Sequence, residues 1–217
     1  MTNLRSRNST TVLSFVEFKK QEILRNPQRI GLFGGTFNPI HNGQLIAAEQ
    51  VARNLKLDKI IFIPNSIPFG ATHQDAIDPS YRAEMVRLAI ANNSLFDINT
   101  TELFKGGKTS TYETVKELKS INPQNEYFVI LGAHLIKDLP NWENAVELSK
   151  ISQIVGIKEP NNDTPDILNT KWIFINYLDI SSSDIRSLLR LRRSVRYLVP
   201  DVVAMYIAEY GLYQGRY

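Results

Sequence analysis

Residues 59 to 64 read KIIFIP, an apolar run with a single lysine in front of it. A strand with one wet face alternates polar and apolar side chains. This run has no wet face, so it belongs in a sheet covered on both sides, as parallel sheets are because their crossovers lay helices on each face. Further strands are read in RIGLFGG (29 to 35), FDINTTEL (96 to 103), EYFVILGA (126 to 133), QIVGIKE (153 to 159) and KWIFINYL (171 to 178). Between the strands lie segments of helical period. GQLIAAEQVARNL (43 to 55) repeats Leu45, Ala48, Val51, Ala52 and Leu55 on one face, and SYRAEMVRLAIAN, STYETVKELKSI and NWENAVELSKI follow the same spacing. SSSDIRSLLRLRR and DVVAMYIAEYGLY close the chain as helices. Strands alternating with helices predict an α/β fold: a doubly wound, mainly parallel, Rossmann-like sheet with ligands beyond the carboxyl ends of its strands.

A chain of 217 residues, 43% of them hydrophobic, can bury one core, and residues 29 to 217 are read as a single domain. Residues 1 to 28 form an N-terminal extension in which Leu13, Val16, Lys20, Ile23 and Leu24 are spaced as a short amphipathic helix ending near Asn26-Pro27. With 25 basic against 22 acidic side chains, the net charge of +3 implies neither a nucleic-acid nor a membrane partner. No apolar run approaches the roughly 20 residues of a membrane span, and a cytoplasmic location is expected. The chain has no cysteine, which excludes disulfides, thiolate zinc sites and thiol nucleophiles together.

Two segments carry chemistry. GGTFNPIHNG (34 to 43) joins the first strand to the first helix: its glycines let backbone approach a phosphate, the helix start aims N–H groups at it, and His41 adds a donor. ISSSDIR (180 to 186) starts a later helix with Ser181, Ser182 and Ser183 and places Arg186 a few residues inside it. Each has an ordinary explanation when taken singly, His41 as a helix cap and the serines as N-capping beside Asp184. Two such helix starts facing each other can grip a triphosphate.

Together these segments resemble the nucleotidyltransferase superfamily with a His-x-Gly-His signature, and within it the bacterial nicotinate-nucleotide adenylyltransferases. The resemblance runs from about Arg29 to Tyr213, and includes FIPNSIP, the YRAEM helix, Glu102 to Gly107, LGAHLIKDLPNW and SVRYLVPDVVAMYIAEYGLY in order. It implies transfer of AMP from ATP to nicotinate mononucleotide, giving deamido-NAD and pyrophosphate in NAD biosynthesis. By the resemblance Gly34, Gly35, Thr36 and Phe37 meet the nucleotide through backbone, and His41 meets the ATP phosphates. Ser182, Ser183 and Arg186 bind ATP from the other side, Trp142 stacks on the pyridine ring, and the Thr111 amide helps read its carboxylate. Mg²⁺ comes with ATP rather than from a site of the protein, the step is an in-line attack on the α-phosphorus, and a homo-oligomer is compatible with the family.

The chain departs from the family pattern at pocket positions. Gln44 stands where the second histidine of the signature would be, Ala71 where the loop lysine falls, His134 in place of an aspartate and Ser110 in place of an aromatic, while Asn38 is a familiar alternative to aspartate. Gln44 is counted with His41 and Arg186 among the candidate catalytic residues, and His134 with Thr111 and Trp142 on the acceptor side. Three readings follow: an adenylyltransferase of reduced turnover, a noncatalytic nucleotide-binding protein, or an adenylyl or cytidylyl transferase for another phosphorylated acceptor.

Overall fold

The computed structural model describes residues 27–66, 76–105, 110–158 and 163–214. Their strands are β1 (Arg29–Gly35), β2 (Lys59–Pro64), β3 (Phe96–Ile98), β4 (Glu126–Gly132), β5 (Gln153–Lys158) and β6 (Lys171–Phe174), arranged as a six-stranded sheet in the order β3-β2-β1-β4-β5-β6. Every pairing in it is parallel. This doubly wound order reverses between β1 and β4, where the connections leave in opposite directions and open a crevice at the carboxyl ends.

Side chains alternate through the sheet into two cores. Phe33, Phe62, Ile130 and Val155 point to the face covered by α1 (Asn42–Leu55), α2 (Pro79–Ile90), α7 (Ser182–Arg190) and α8 (Asp201–Glu209). Leu32, Val129, Leu131 and Ile154 point to the other, under α4 (Thr111–Ile121), α5 (Ala133–Asp138) and α6 (Ala145–Ile151). Burial on both faces is why these strands read as unbroken apolar runs. On α1 the core face comprises Ala47, Ala48, Val51, Ala52 and Leu55, and Leu45 packs at its margin only half-buried. No helix among the described residues is long and apolar enough to cross a membrane.

Three expected boundaries shift. FDINTTEL does not continue as a strand: β3 ends at Ile98, Asn99 Oδ1 accepts the Thr101 N–H at 2.8 Å, and α3 (Thr101–Lys105) begins. In NWENAVELSKI the residues before Ala145 lie outside the helix, because Leu139–Asn141 form a 3₁₀ turn and Asn144 sits at φ 59°. KWIFINYL leaves the sheet after Phe174, where its last partner, Lys158, ends β5. The chain from Ile175 to Ile180 then runs along the crevice. The amphipathic helix expected before Asn26 lies outside the described residues.

Candidate active site

A cavity of about 540 Å³ occupies the crevice, floored by Leu32–Gly35 of β1 and Val129–Gly132 of β4. The starts of α1, α4 and α7 open onto it, through Gln44, Thr111 and Ser182 respectively. Each turns the positive end of a helix dipole toward it, so the cavity favours anions at several points.

The glycine loop is shaped by its own phenylalanine. Phe37 adopts φ 47° and drives its ring into the core, 1% exposed, against Phe33 and Phe62. A Cβ on Gly35 would lie 2.9 Å from that ring, so only glycine fits; at Gly34 a Cβ would meet nothing within 4 Å. The expected approach of ligand to backbone is therefore open at Gly34, whereas Gly35 makes room for Phe37. Behind the loop lies Arg82, 0% exposed and bonded only to oxygens of the protein. Its Nη1 donates to the Thr36 carbonyl (2.6 Å), Nη2 to those of Asn65 (2.8 Å) and Ser66 (3.1 Å), and Nε to that of Ile77 (3.1 Å). Burial lowers its pKa from the ordinary arginine value, yet an arginine stays charged under these conditions. The sequence pointed to this side chain only as part of the YRAEM helix.

His41 is the N-cap of α1. Its Nδ1 accepts the main-chain N–H of Gln44 at 3.3 Å, and its main-chain N–H donates to Gln44 Oε1 at 3.2 Å. Desolvation brings its pKa down to about 4, so the ring is neutral at neutral pH and its proton belongs on Nε2. A Cβ on Gly43 would stand 3.1 Å from Nδ1, which explains why a glycine separates the two residues. Asn42 then ties the helix start to the C-terminal segment, its N–H donating to the Leu198 carbonyl and its side chain to that of Tyr197, each at 2.8 Å.

Across the cavity, Arg186 is buried and its Nη1 donates to the Asn38 carbonyl at 3.0 Å. The Asn38 side-chain oxygen accepts from the Tyr213 hydroxyl at 2.8 Å, and burial pushes that phenol well above its usual range. Ser182 donates to the Pro39 carbonyl at 2.8 Å, so the start of α7 is stapled to the glycine loop. Ser181 caps α7 by accepting the Asp184 N–H and donating to its carboxylate at 2.6 Å. Of the serines, 181 and 182 line the cavity, whereas Ser183 is exposed outside it.

At the far end Ser110 caps α4, accepting the Glu113 N–H at 3.3 Å. Thr111 and Thr114 line the wall, and Thr114 donates to Glu102 Oε1 at 2.7 Å, both side chains buried. Glu102, which the sequence marked only as the start of a motif, is the carboxylate facing this cavity among the described residues. Trp142 follows the 3₁₀ turn, and its indole N–H donates to Asp138 Oδ2 at 3.3 Å. His134, near the start of α5, borders the cavity with its side chain exposed. Ala71 lies outside the described residues. Among the described residues no group of three acidic or imidazole side chains gathers to hold a metal.

The cytidylyltransferase-like family model matches residues 32–188. A relative from Lactiplantibacillus plantarum named as a nicotinate-nucleotide adenylyltransferase is 42% identical over 187 residues, covering 86% of this chain and 89% of its own. One of the same name from Enterococcus faecalis is 38% identical, covering 86% and 85%. Plasmodium falciparum nicotinic acid mononucleotide adenylyltransferase complexed with NaAD shares the fold at a TM-score of 0.72 and 20% identity, over 86% of this chain and 97% of that one.

Proposed function

The chain belongs to the nicotinate-nucleotide adenylyltransferases of the cytidylyltransferase-like family, and on that premise we propose that it transfers the adenylyl group of ATP to nicotinate mononucleotide. The products are deamido-NAD and pyrophosphate. The observation that carries this reading is the convergence of three helix starts, His41, Arg186 and Trp142 on one cavity at the reversal of strand order.

An oxygen of the acceptor phosphate attacks the α-phosphorus, the bond from that phosphorus to the bridging oxygen breaks, and pyrophosphate leaves. Arg186, the positive dipole ends of α1 and α7, and the Nε2–H of His41 stabilise the charge that builds on the phosphates. His41, being neutral, acts as a hydrogen-bond donor and passes no proton to the leaving group. The Trp142 ring stacks on the pyridine, and the start of α4 at Thr111 receives its carboxylate. A Mg²⁺ ion fits a site with one lining carboxylate only as a companion of the triphosphate, where it neutralises phosphate charge. Turnover falls below that of a two-histidine site, since losing one preorganised donor commonly costs about a hundredfold to a thousandfold and a Gln amide replaces part of it.

The test is pyrophosphate release from ATP, and separately from CTP, with nicotinate mononucleotide, its amide and other phosphorylated acceptors, the dinucleotide product being identified by mass spectrometry. Deamido-NAD formed from ATP and nicotinate mononucleotide in preference to the amide is expected. Release with no acceptor, or only with a different one, overturns the reading. Tight ATP binding with no release marks a noncatalytic nucleotide-binding protein.

A further inference from the structure

We propose that Gln44 is a positioning residue: its side chain locks the His41 main chain at the start of α1 and so holds the imidazole against the main-chain amide that keeps its proton on Nε2, so that the signature's lost second histidine is replaced by a device for aiming the first. The proposal rests on the adenylyl-transfer reading for its catalytic consequence and on geometry alone for the tautomer.

The geometry is a reciprocal pair of bonds. The main-chain N–H of Gln44 donates to His41 Nδ1, and Gln44 Oε1 accepts the main-chain N–H of His41, closing a capping box at the start of α1. Capping boxes draw Glu or Gln to their fourth position because only those side chains reach back with an oxygen acceptor of the right length. Glutamate there would bring a negative charge beside a triphosphate. Glutamine closes the same ring without charge and keeps an NH₂ donor on the same group. The imidazole is confined further by Gly43, whose missing Cβ would stand 3.1 Å from Nδ1 and 3.3 Å from Cε1. With Nδ1 occupied as an acceptor, the remaining edge of a ring that lines the cavity is Nε2–H.

The surroundings agree. Burial is the cause that lowers the His41 pKa. The charged and titratable groups that share the cavity with His41 are Arg186 from α7, Glu102 from α3, His134 from α5 and Tyr177 from the segment after β6. A neutral donor held by main chain needs no reorganisation when charge develops, which is what preorganised stabilisation requires.

The decisive measurement is ¹⁵N NMR of histidine-labelled full-length protein. The chain has three histidines, His41, His73 and His134, and His41→Asn identifies the His41 signals by their loss. In the wild type at neutral pH, Nε2 should carry the proton, Nδ1 should show the shift of an acceptor, and neither should titrate down to about pH 5.5. Gln44→Ala keeps the main-chain N–H but loses the return bond to the His41 main chain, so the cap should loosen, the Nδ1 signal should move away from its acceptor shift, and kcat should fall about tenfold while KM for ATP changes less than about threefold. Gln44→Glu should restore the Nε2–H signature by refilling the box, even as its charge weakens ATP binding. A proton on Nδ1 in the wild type, or an unaltered His41 spectrum in a folded Gln44→Ala protein, overturns the proposal. Should Gln44→Ala not fold, the wild-type and Gln44→Glu spectra decide alone. If no acceptor supports transfer, the spectra still stand or fall independently, which separates failure of this proposal from failure of the functional reading.

Discussion

The two ends of the cavity are built differently. At the nucleotide end, besides the local caps of α1 and α7, a set of anchors spans long stretches of chain: Ser182 reaches Pro39 across 143 residues, Arg186 reaches Asn38 across 148, Asn42 reaches Tyr197 across 155, and Arg82 reaches Thr36 across 46. At the acceptor end the bonds are local: Trp142 to Asp138 four residues away, Ser110 to Glu113 three away, and Thr114 to Glu102 twelve away. The lesson concerns where variation is tolerated. His134 and Ser110 depart from the family pattern on local, partly exposed elements, where a new side chain alters the pocket without loosening the sheet. Gln44 departs within the cross-linked end and is accommodated by a reciprocal pair of bonds.

Removing the deepest anchor of the nucleotide end gives the largest effect. Arg82→Met should destabilise the fold by about 3–5 kcal/mol, because four carbonyls lose their buried donor at once. Chemical denaturation measures this, and a cost under about 1 kcal/mol would mean that the glycine loop does not depend on its long-range anchors. Next, Arg186→Ala should lower kcat/KM for ATP about a hundredfold to a thousandfold, some 3–4 kcal/mol, with calorimetry showing weaker ATP binding. Equal ATP affinities would remove ATP from this end.

His41 sharpens the contrast through pH. Its pKa falls from 6.5 in the unfolded chain to about 4 in the folded one, so the unfolded state binds more protons in that window. Stability from this group is therefore complete above 6.5 and is lost as the pH falls toward about 4, by up to about 3 kcal/mol. Denaturation midpoints across that range should flatten in His41→Asn, which retains an N-cap but does not titrate. The smallest effect belongs to the acceptor end. Trp142→Ala should raise KM for nicotinate mononucleotide about tenfold, the stacking of one ring, and leave ATP binding and stability near wild type. An equal loss of ATP binding would show that the two ends are not separable.

Much of this was legible beforehand, for reasons particular to each element. KIIFIP and EYFVILG became strands because burial on both faces leaves an unbroken apolar run that the eye can find. The helix after the glycine loop followed from its period. Residues 99 to 101 are legible only in part: Asn-Thr-Thr reads as strand from its β-branched side chains, although Asn99 is also a residue that caps a helix start. Trp142, Thr111, His134 and Arg186 do come together, but the exposure of Ser183 depends on how α7 is rotated against the sheet, and a serine triplet carries no trace of that.

The sequence by itself determined the doubly wound class, the place of the phosphate-facing loop and the identity of its imidazole, since hydrophobic period and glycine turns are written within a few neighbouring residues. Only the tertiary structure decided that Phe37, rather than a ligand, requires Gly35, that Gln44 closes on His41, and that Arg82, Asn38 and Tyr213 brace the loop and Arg186. The physical reason is one of range. Burying an apolar side chain requires only that some surface cover it, so a local pattern suffices. A buried polar group needs one partner at one distance and angle, and the fold alone says which distant residue supplies it.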